Sequence, residues 1–547
     1  MRIIWMLVGL LAAGMGWMAG EAGSFAATTD ADLKADANLI GRIHFIGTTQ
    51  LLADTNAAAK LNEIAALPET AHLQAELLQT LAAAPYHILK KKAKAGATDQ
   101  VNRIRPLLED LLHNEVYAEL RGAAKPLPDL LLAVHLDAAH AELWRTNLAI
   151  VLTAWSGLPV AEIKVEGFKG WELMKHQEPN VVQLIRVGDW VVLGWGEKII
   201  PGETAMIQRI KTTGRPVEAA RDYWLEAWVD GAALRAHELL PADCKLARAQ
   251  LTLGLKANDV RTKAVLQFSE PLNAKYSGWN IPTNLVHDPI ISFTAMRGVA
   301  PWLKKIELLK KLKVEPVPDQ LYSWAMADIL LDNHLAASVE NGTNFLEQYG
   351  SRLIALANTN LHGTDLGQLQ WNTTHTSVEW KGLPPMAAPS VSAASGTNGE
   401  YITVQLFPSV PSTEPLSQEL VREVASHPDM VYYDWEIVSE RLNRWRNLNM
   451  LYCLLNNKFF PTAEAPTQRW LTALRTRLGN STTEASINAP NEMTIVRKSP
   501  LGLTSLELVL LTRWLELAGQ HEVAESEPNQ PPVSSVSGTP TNAAGAK

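Results

Sequence analysis

Two apolar runs set two residues apart place the strongest constraint on this chain. Val181 to Val187 and Trp190 to Trp195 flank Gly188-Asp189. Such a pair between apolar runs reads as the turn of a two-residue β-hairpin, where Gly tolerates a positive φ. Trp190-Val191-Val192-Leu193 is apolar on both faces. A strand with that pattern belongs inside a sheet rather than at its surface.

Helices and strands alternate on either side of this hairpin. Leu130 to Leu136 suits a short strand, and Asp137 offers a carboxylate at the N-cap of the helix that follows. Leu143, Trp144, Leu148, Val151, Leu152 and Trp155 share one face of that helix, which Gly157 and Pro159 stop. Ala249 to Leu255 and Val260 to Phe268 form another hairpin. Met430 to Trp435 reads as a strand feeding a helix with Val438, Leu442, Trp445 and Leu448 on one stripe. Thr504-Ser505-Leu506-Glu507 is a capping box, and Gly519 is expected to end its helix. The expected class is α+β: repeated strand–helix–antiparallel-meander units, with helices packed on one face of curved mixed sheets.

Residues 1–26 read as a signal peptide. Met1-Arg2 precedes an uncharged apolar stretch from Ile3 to Ala19, and Ser24-Phe25-Ala26 supplies small residues for cleavage. The alternative is an uncleaved anchor, against which stand the short run and Gly9, Gly14 and Gly16. Either way the address is export, to the periplasm or cell envelope. Beyond the leader, the reading is an N-terminal α+β region (27–272), a middle α+β region (273–383) and a C-terminal α+β region (400–520). The Pro/Ala/Ser/Gly tract 384–399 reads as a disordered linker or loop. Residues 521–547, with four Pro and no Leu, Ile or aromatic residue, read as a free tail.

Charge removes one class of function. The chain carries 49 Lys and Arg against 57 Asp and Glu, a net charge of −8, which argues against general nucleic-acid binding. Cys244 and Cys453 are the two cysteines, and neither belongs to a C-x-x-C. An exported chain could pair them, but the apolar stretch around Cys453 favours two core thiols.

The leader, the strand–helix–meander units, Trp190-Val191-Val192-Leu193-Gly194-Trp195-Gly196, and Arg497-Lys498-Ser499-Pro500-Leu501-Gly502-Leu503-Thr504 resemble a group of exported bacterial proteins of unknown function. The group has no established activity, so the resemblance implies no functional residue.

Catalytic signatures are sparse. Gly194-Trp195-Gly196 begins like a dinucleotide loop but lacks the third Gly, and Trp195 would crowd a phosphate. The chain has no G-x-x-x-x-G-K-[ST], H-E-x-x-H, G-x-S-x-G or S-x-x-K. His135 and His140 are spaced poorly for a shared metal. No cofactor and no metal are expected. His287 with Asp288, and His427 with Asp429, could each pair as base and orienter, although polar turns beside Pro explain them equally simply. Asp434 and Glu436 share a strand face and could do acid–base work on glycosides, but their pattern suits a solvated face opposite Val431, Tyr433 and Trp435. Trp279, Trp371 and Trp380 are candidates for a binding surface. In residues 302–314, Trp302, Leu303, Ile306, Leu309 and Leu312 can form an apolar helix face flanked by five Lys. That face suits either a sheet-covering helix or an anionic membrane.

These features favour a non-enzymatic envelope protein that binds or scaffolds. One alternative is a hydrolase of unfamiliar type using a His/Asp pair. Another is peripheral membrane association through 302–314. The partners to consider are an envelope protein or a membrane surface, not nucleic acid.

Overall fold

A computed structural model describes residues 38–526, except 56–57, 89–96, 123–127, 175–179, 198–199, 219–222, 257, 273–275, 328–331, 363–366, 383–388, 407–413 and 457–460. The expected leader and the tail from 527 onward lie outside the described residues.

The first ten strands are β1 (Leu39–Phe45), β2 (Val116–Arg121), β3 (Asp129–His135), β4 (Ala161–Val165), β5 (Phe168–Met174), β6 (Asn180–Val187), β7 (Trp190–Glu197), β8 (Leu225–Asp230), β9 (Leu246–Lys256) and β10 (Asp259–Phe268). Between β1 and β2 lie α1 (Thr48–Ala53), α2 (Ala59–Ala65), α3 (Pro68–Ile88) and α4 (Ala97–His113). Then come α5 (Ala138–Ser156) after β3, α6 (Pro201–Thr213) after β7, and α7 (Gly231–Ala236) after β8.

The second ten strands are β11 (Ile290–Arg297), β12 (Gln320–Met326), β13 (Asn333–Val339), β14 (Gln368–Trp371), β15 (Ser377–Lys381), β16 (Ser390–Gly396), β17 (Gly399–Gln405), β18 (Met430–Ile437), β19 (Asn480–Ala489) and β20 (Glu492–Ser499). Helices α8 (Ala300–Leu303) and α9 (Glu307–Leu312) follow β11, and α10 (Gly342–Leu361) follows β13. Helix α11 (Gln418–Ala425) follows β17, α12 (Val438–Leu455) and α13 (Pro466–Arg475) follow β18, and α14 (Ser505–Ser526) follows β20.

All these strands join one sheet, and every pairing is antiparallel. The order runs β4-β5-β6-β7-β3-β2-β1-β8-β9-β10, then β20-β19-β18-β11-β12-β13-β17-β16-β15-β14. Adding ten to each strand number of the first ladder gives the second, read from the far edge inward. Helices also fall in the same connections of both ladders: first to second strand, third to fourth, seventh to eighth, and eighth to ninth. The ladders meet through their last strands, with Val260 opposite Ser499 and Gln267 opposite Glu492. Antiparallel pairing of equivalent strands is what a two-fold relation between the ladders requires.

The α+β class therefore holds, but the sheet is antiparallel rather than mixed. The regions 273–383 and 400–520 interleave in it, because β11 pairs with β18 and β13 with β17. Helices also cover both faces near β7. Trp190 and Val192 pack with Met206 and Ile207 of α6, while Val191 packs with Trp144 of α5 on the other side. That two-sided burial explains the continuous apolar run of β7.

Several local signals act as the residues dictate. Gly188 takes φ 62° in the β6–β7 turn. Asp137 caps α5 by accepting the His140 N–H at 2.8 Å. Thr504 and Glu507 close their capping box reciprocally, although α14 continues past Gly519 to Ser526. Cys453 is buried, Cys244 is half-buried, and both are free thiols.

Two segments differ from expectation. Half of 384–399 is strand: Ser390–Gly396 hairpins with Gly399–Gln405, while 383–388 lies outside the described residues. Its small side chains let α10 approach closely. A Cβ on Gly342 would sit 3.2 Å from that of Ala393. Residues 302–314 do not form one helix either. Ile306 is extended (φ −71°, ψ 120°), so α8 and α9 meet at a corner.

The outer strand β14 is guarded. Asn358 of α10 donates its amide to the Leu369 carbonyl at 2.9 Å and accepts the Leu369 N–H at 2.8 Å. An open sheet needs such cover, because an unpaired edge recruits other strands. Asn358→Ala is expected to cost roughly 2 kcal/mol, two net hydrogen bonds, and to increase self-association. Urea denaturation and size-exclusion chromatography read both effects.

Candidate functional site

A cluster of buried charged groups lies near the junction of the two ladders. Cross-strand register sets Thr294, Asp434, Thr483, Arg497 and Thr262 in one row. Glu436 shares the face of Asp434, two residues on, between Ser292 and Ser481. This face is not solvated, contrary to the strand pattern. Glu436 is 5% exposed and Arg497 4%. The start of α14 reaches this face through Ser505, and α12 brings Arg441 beside the two carboxylates.

The charges are tied to each other and to the start of a helix. The Ser505 N–H and Oγ donate to the two oxygens of Glu436, at 2.8 and 2.5 Å. Helix N-termini carry unpaired N–H groups and a positive dipole end, so a carboxylate fits there. Glu507, the acid of the capping box, also accepts from Arg497 Nη1 at 2.7 Å. Arg497 Nε donates to Thr483 Oγ1 at 3.0 Å. Thr294 Oγ1 donates to Asp434 at 2.7 Å. Arg441 donates to Asn333 Oδ1 at 2.8 Å and lies 4.9 Å over the Trp445 ring.

Burial raises the Glu436 pKa to about 7. The Asp434 charge adds to the rise, while Ser505 and Arg441 oppose it. Burial also raises Asp434, against the Thr294 hydroxyl, Arg441 and Arg497. Two carboxyls with raised pKa values can hold a proton near neutrality. Here, however, both oxygens of Glu436 are occupied by Ser505, which is itself 0% exposed. The arrangement locks a helix to a sheet.

The first ladder has its own buried charges. The Glu119 carboxylate accepts from Tyr117 OH at 2.6 Å, from Arg209 Nη2 at 2.6 Å, and from Arg121 Nε. Burial works against this carboxylate, but Arg209, Arg121 and Tyr117 outweigh it and hold its pKa below the usual range. Glu203 of α6 contrasts with it. The residue is 1% exposed and packs over Gly194 of β7, where a Cβ would come within 3.0 Å of the carboxyl carbon. Its Oε1 has no hydrogen-bond partner among the described residues. Burial alone pushes its pKa to about 8. A Cβ on Gly196 would run into the Asp129 carboxylate. Gly194-Trp195-Gly196 is thus strand backbone under two acids, not a phosphate loop.

Of the residues singled out from sequence, Asp434 and Glu436 belong to the junction cluster, and the others lie apart from it. His287 forms a bridge with Pro415, and the Asp288 N–H donates to the Glu414 carbonyl at 3.1 Å. His427 Nδ1 sits 2.8 Å from the Glu423 carbonyl and 3.2 Å from Ser426 Oγ, closing the end of α11. The Asp429 carbonyl accepts from Ile487 N–H, and its side chain is exposed. Trp279 lies under the Arg297 guanidinium at 4.6 Å and meets Tyr322 edge-on. Trp371 packs on Gly350 of α10, and Trp380 joins the same apolar cluster. His140 pairs with Asp110 at 2.7 Å, and His135 packs edge-on against Trp190.

Glu119, Glu203, Arg441 and Arg497 were not singled out. The local signal for Arg497 was present: it precedes a capping box whose acid it meets. Among the described residues no group of three or more His, Cys, Asp or Glu could hold a metal. No helix among them is long and apolar enough to cross a membrane.

No family model and no curated protein matches the chain. Among solved structures, crystal forms I, III and IV of TP0453 are similar to part of it. Form I is 11% identical, covering 46% of this chain and 83% of that one, with a TM-score of 0.22. Form III is 12% identical, covering 44% and 80%, with a TM-score of 0.22. Form IV is 10% identical, covering 42% and 76%, with a TM-score of 0.21.

Glu203 generates a signed pH effect. Its folded pKa lies above its ordinary value of 4.5. Between 4.5 and about 8 the unfolded chain releases this proton and the folded chain keeps it, so stability falls as pH rises. Glu203→Gln removes this loss. Its stability relative to wild type is expected to climb by on the order of 1 kcal/mol per pH unit through that window, then level off. Denaturant melts at a series of pH values read this, and a pH-independent difference would contradict it.

Proposed function

We propose that the chain is an exported cell-envelope protein that works by binding or scaffolding, without catalysing a reaction. The supporting observation is the closure of its charged cluster. Glu436 gives both oxygens to Ser505 at the start of α14, Glu507 accepts from Arg497 and the Thr504 N–H, Arg497 also donates to Thr483, Asp434 accepts from Thr294, and Arg441 donates to Asn333 beside the two carboxylates. Catalysis needs an acid, base or nucleophile aimed at a place a substrate can occupy. These groups are aimed at the fold instead. The address comes from the leader-like residues 1–26. The resemblance to exported bacterial proteins of unknown function agrees with it.

Complementation tests this reading. In a strain lacking the gene, His287→Ala, His427→Ala and Glu436→Gln chains are expected to restore the wild-type phenotype whenever the purified variant keeps its melting temperature. A variant that melts normally but fails to complement would point to chemistry at that residue and overturn the proposal.

A further inference from the structure

The corner between α8 and α9 separates two sets of apolar side chains. Leu303, Leu312 and Val314 are buried, and Leu312 and Val314 pack with Tyr349 of α10. Ile306 and Leu309 are half-buried. Trp302 and Leu308 are left out, at 58% and 47% exposure. Most of the apolar stripe visible in sequence therefore faces the protein, while its first member, Trp302, and the neighbouring Leu308 face solvent. All five lysines of the segment (Lys304, Lys305, Lys310, Lys311 and Lys313) are exposed around that pair. They face two glutamates, of which Glu307 is paired with Lys310 at 2.6 Å. Arg352 of α10 adds a further positive charge, with its guanidinium on the Leu312 carbonyl.

We propose that this corner docks on an anionic lipid surface. Local charge carries the argument: a cationic corner with an exposed Trp stands on a chain of net charge −8. At close range the positive charge of this corner outweighs the repulsion that the net negative charge of the chain exerts. Lysines close to an anionic leaflet each add attraction, and that attraction is screened by salt. Trp and Leu side chains enter the headgroup region, where a ring with one polar edge is at home. The contact is peripheral, since both helices are shorter than eight residues. The proposal rests on the envelope reading and adds a surface to it. Vesicle binding tests the docking alone, so its failure leaves that reading standing.

The test is flotation of the full chain with phosphatidylcholine vesicles, with and without about 30% phosphatidylglycerol. The quantity read is the gain in partitioning caused by the anionic lipid, which cancels any contribution common to both vesicles. At low salt a gain of about tenfold or more is expected, falling toward none in 0.5 M salt (about a 4 Å screening length). Lys304→Gln/Lys305→Gln/Lys310→Gln/Lys311→Gln is expected to abolish the gain. Trp302→Ser/Leu308→Ser is expected to weaken binding to anionic vesicles several-fold while keeping its salt dependence. All six positions are exposed, and an unchanged melting temperature confirms folding. No gain with anionic lipid, or a gain that survives both variants, would overturn the proposal. Binding of the corner to an acidic polypeptide such as polyglutamate, with no gain on anionic vesicles, would assign it to a protein partner instead.

Discussion

The antiparallel pairing of β10 with β20 is the contact on which the whole sheet depends. Without it the strands divide into two ladders, each with an open edge along its last strand. The junction is well buried: Val260, Thr262, Ala264, Val496 and Ser499 are each 5% exposed or less. Arg497 stands in this junction, opposite Thr262, and carries the connection inward to Thr483 and upward to Glu507 at the start of α14. A second link crosses above the sheet. Trp470 of α13 donates its indole N–H to Thr70 of α3 at 3.0 Å, and Arg477 pairs with Glu63 of α2 at 3.1 Å. The long helical connection of the first ladder thus rests on the helices of the second.

This arrangement explains why charge is buried here at all. An isolated charge loses several kcal/mol on leaving water. In the junction each carboxylate has a guanidinium, a hydroxyl or a helix start beside it. Removing one member would strand another, so the cluster fixes the seat of α14 more than it adds raw stability. Specificity of that kind is a better-supported use of buried ion pairs than stabilisation. It suits a protein whose work is to present a fixed surface. The α8–α9 corner, packed on α10, is the surface proposed for that work.

Local features were legible in sequence where a few neighbouring residues decide the outcome. The Gly188-Asp189 hairpin, the interior character of β7, the Asp137 cap and the Thr504–Glu507 box all belong to this kind. Features decided by distant residues were not. Nothing near Asp434 reveals that Ser505 and Arg497 will close over its face, so an alternating strand read as half-solvated. Strand β16 has small Ser and Ala side chains that look like linker, and its order comes from Val391 and Ala393 meeting α10. The break at Ile306 lets Leu309, Leu312 and Val314 pack on α10, against a stripe that looked continuous. The matching order of the two ladders has no exact sequence period behind it, because pairing constrains only which faces are apolar.

Native-state hydrogen exchange tests the central claim most directly. If the two ladders form one sheet through β10 and β20, the amides of Val260–Gln267 and Glu492–Ser499 should be among the slowest in the protein. They should exchange only through global unfolding, while the edge strands β4 and β14 exchange faster. Exchange of β10 and β20 through a smaller opening, with the interiors of both ladders still protected, would show two separable halves and contradict a single continuous sheet.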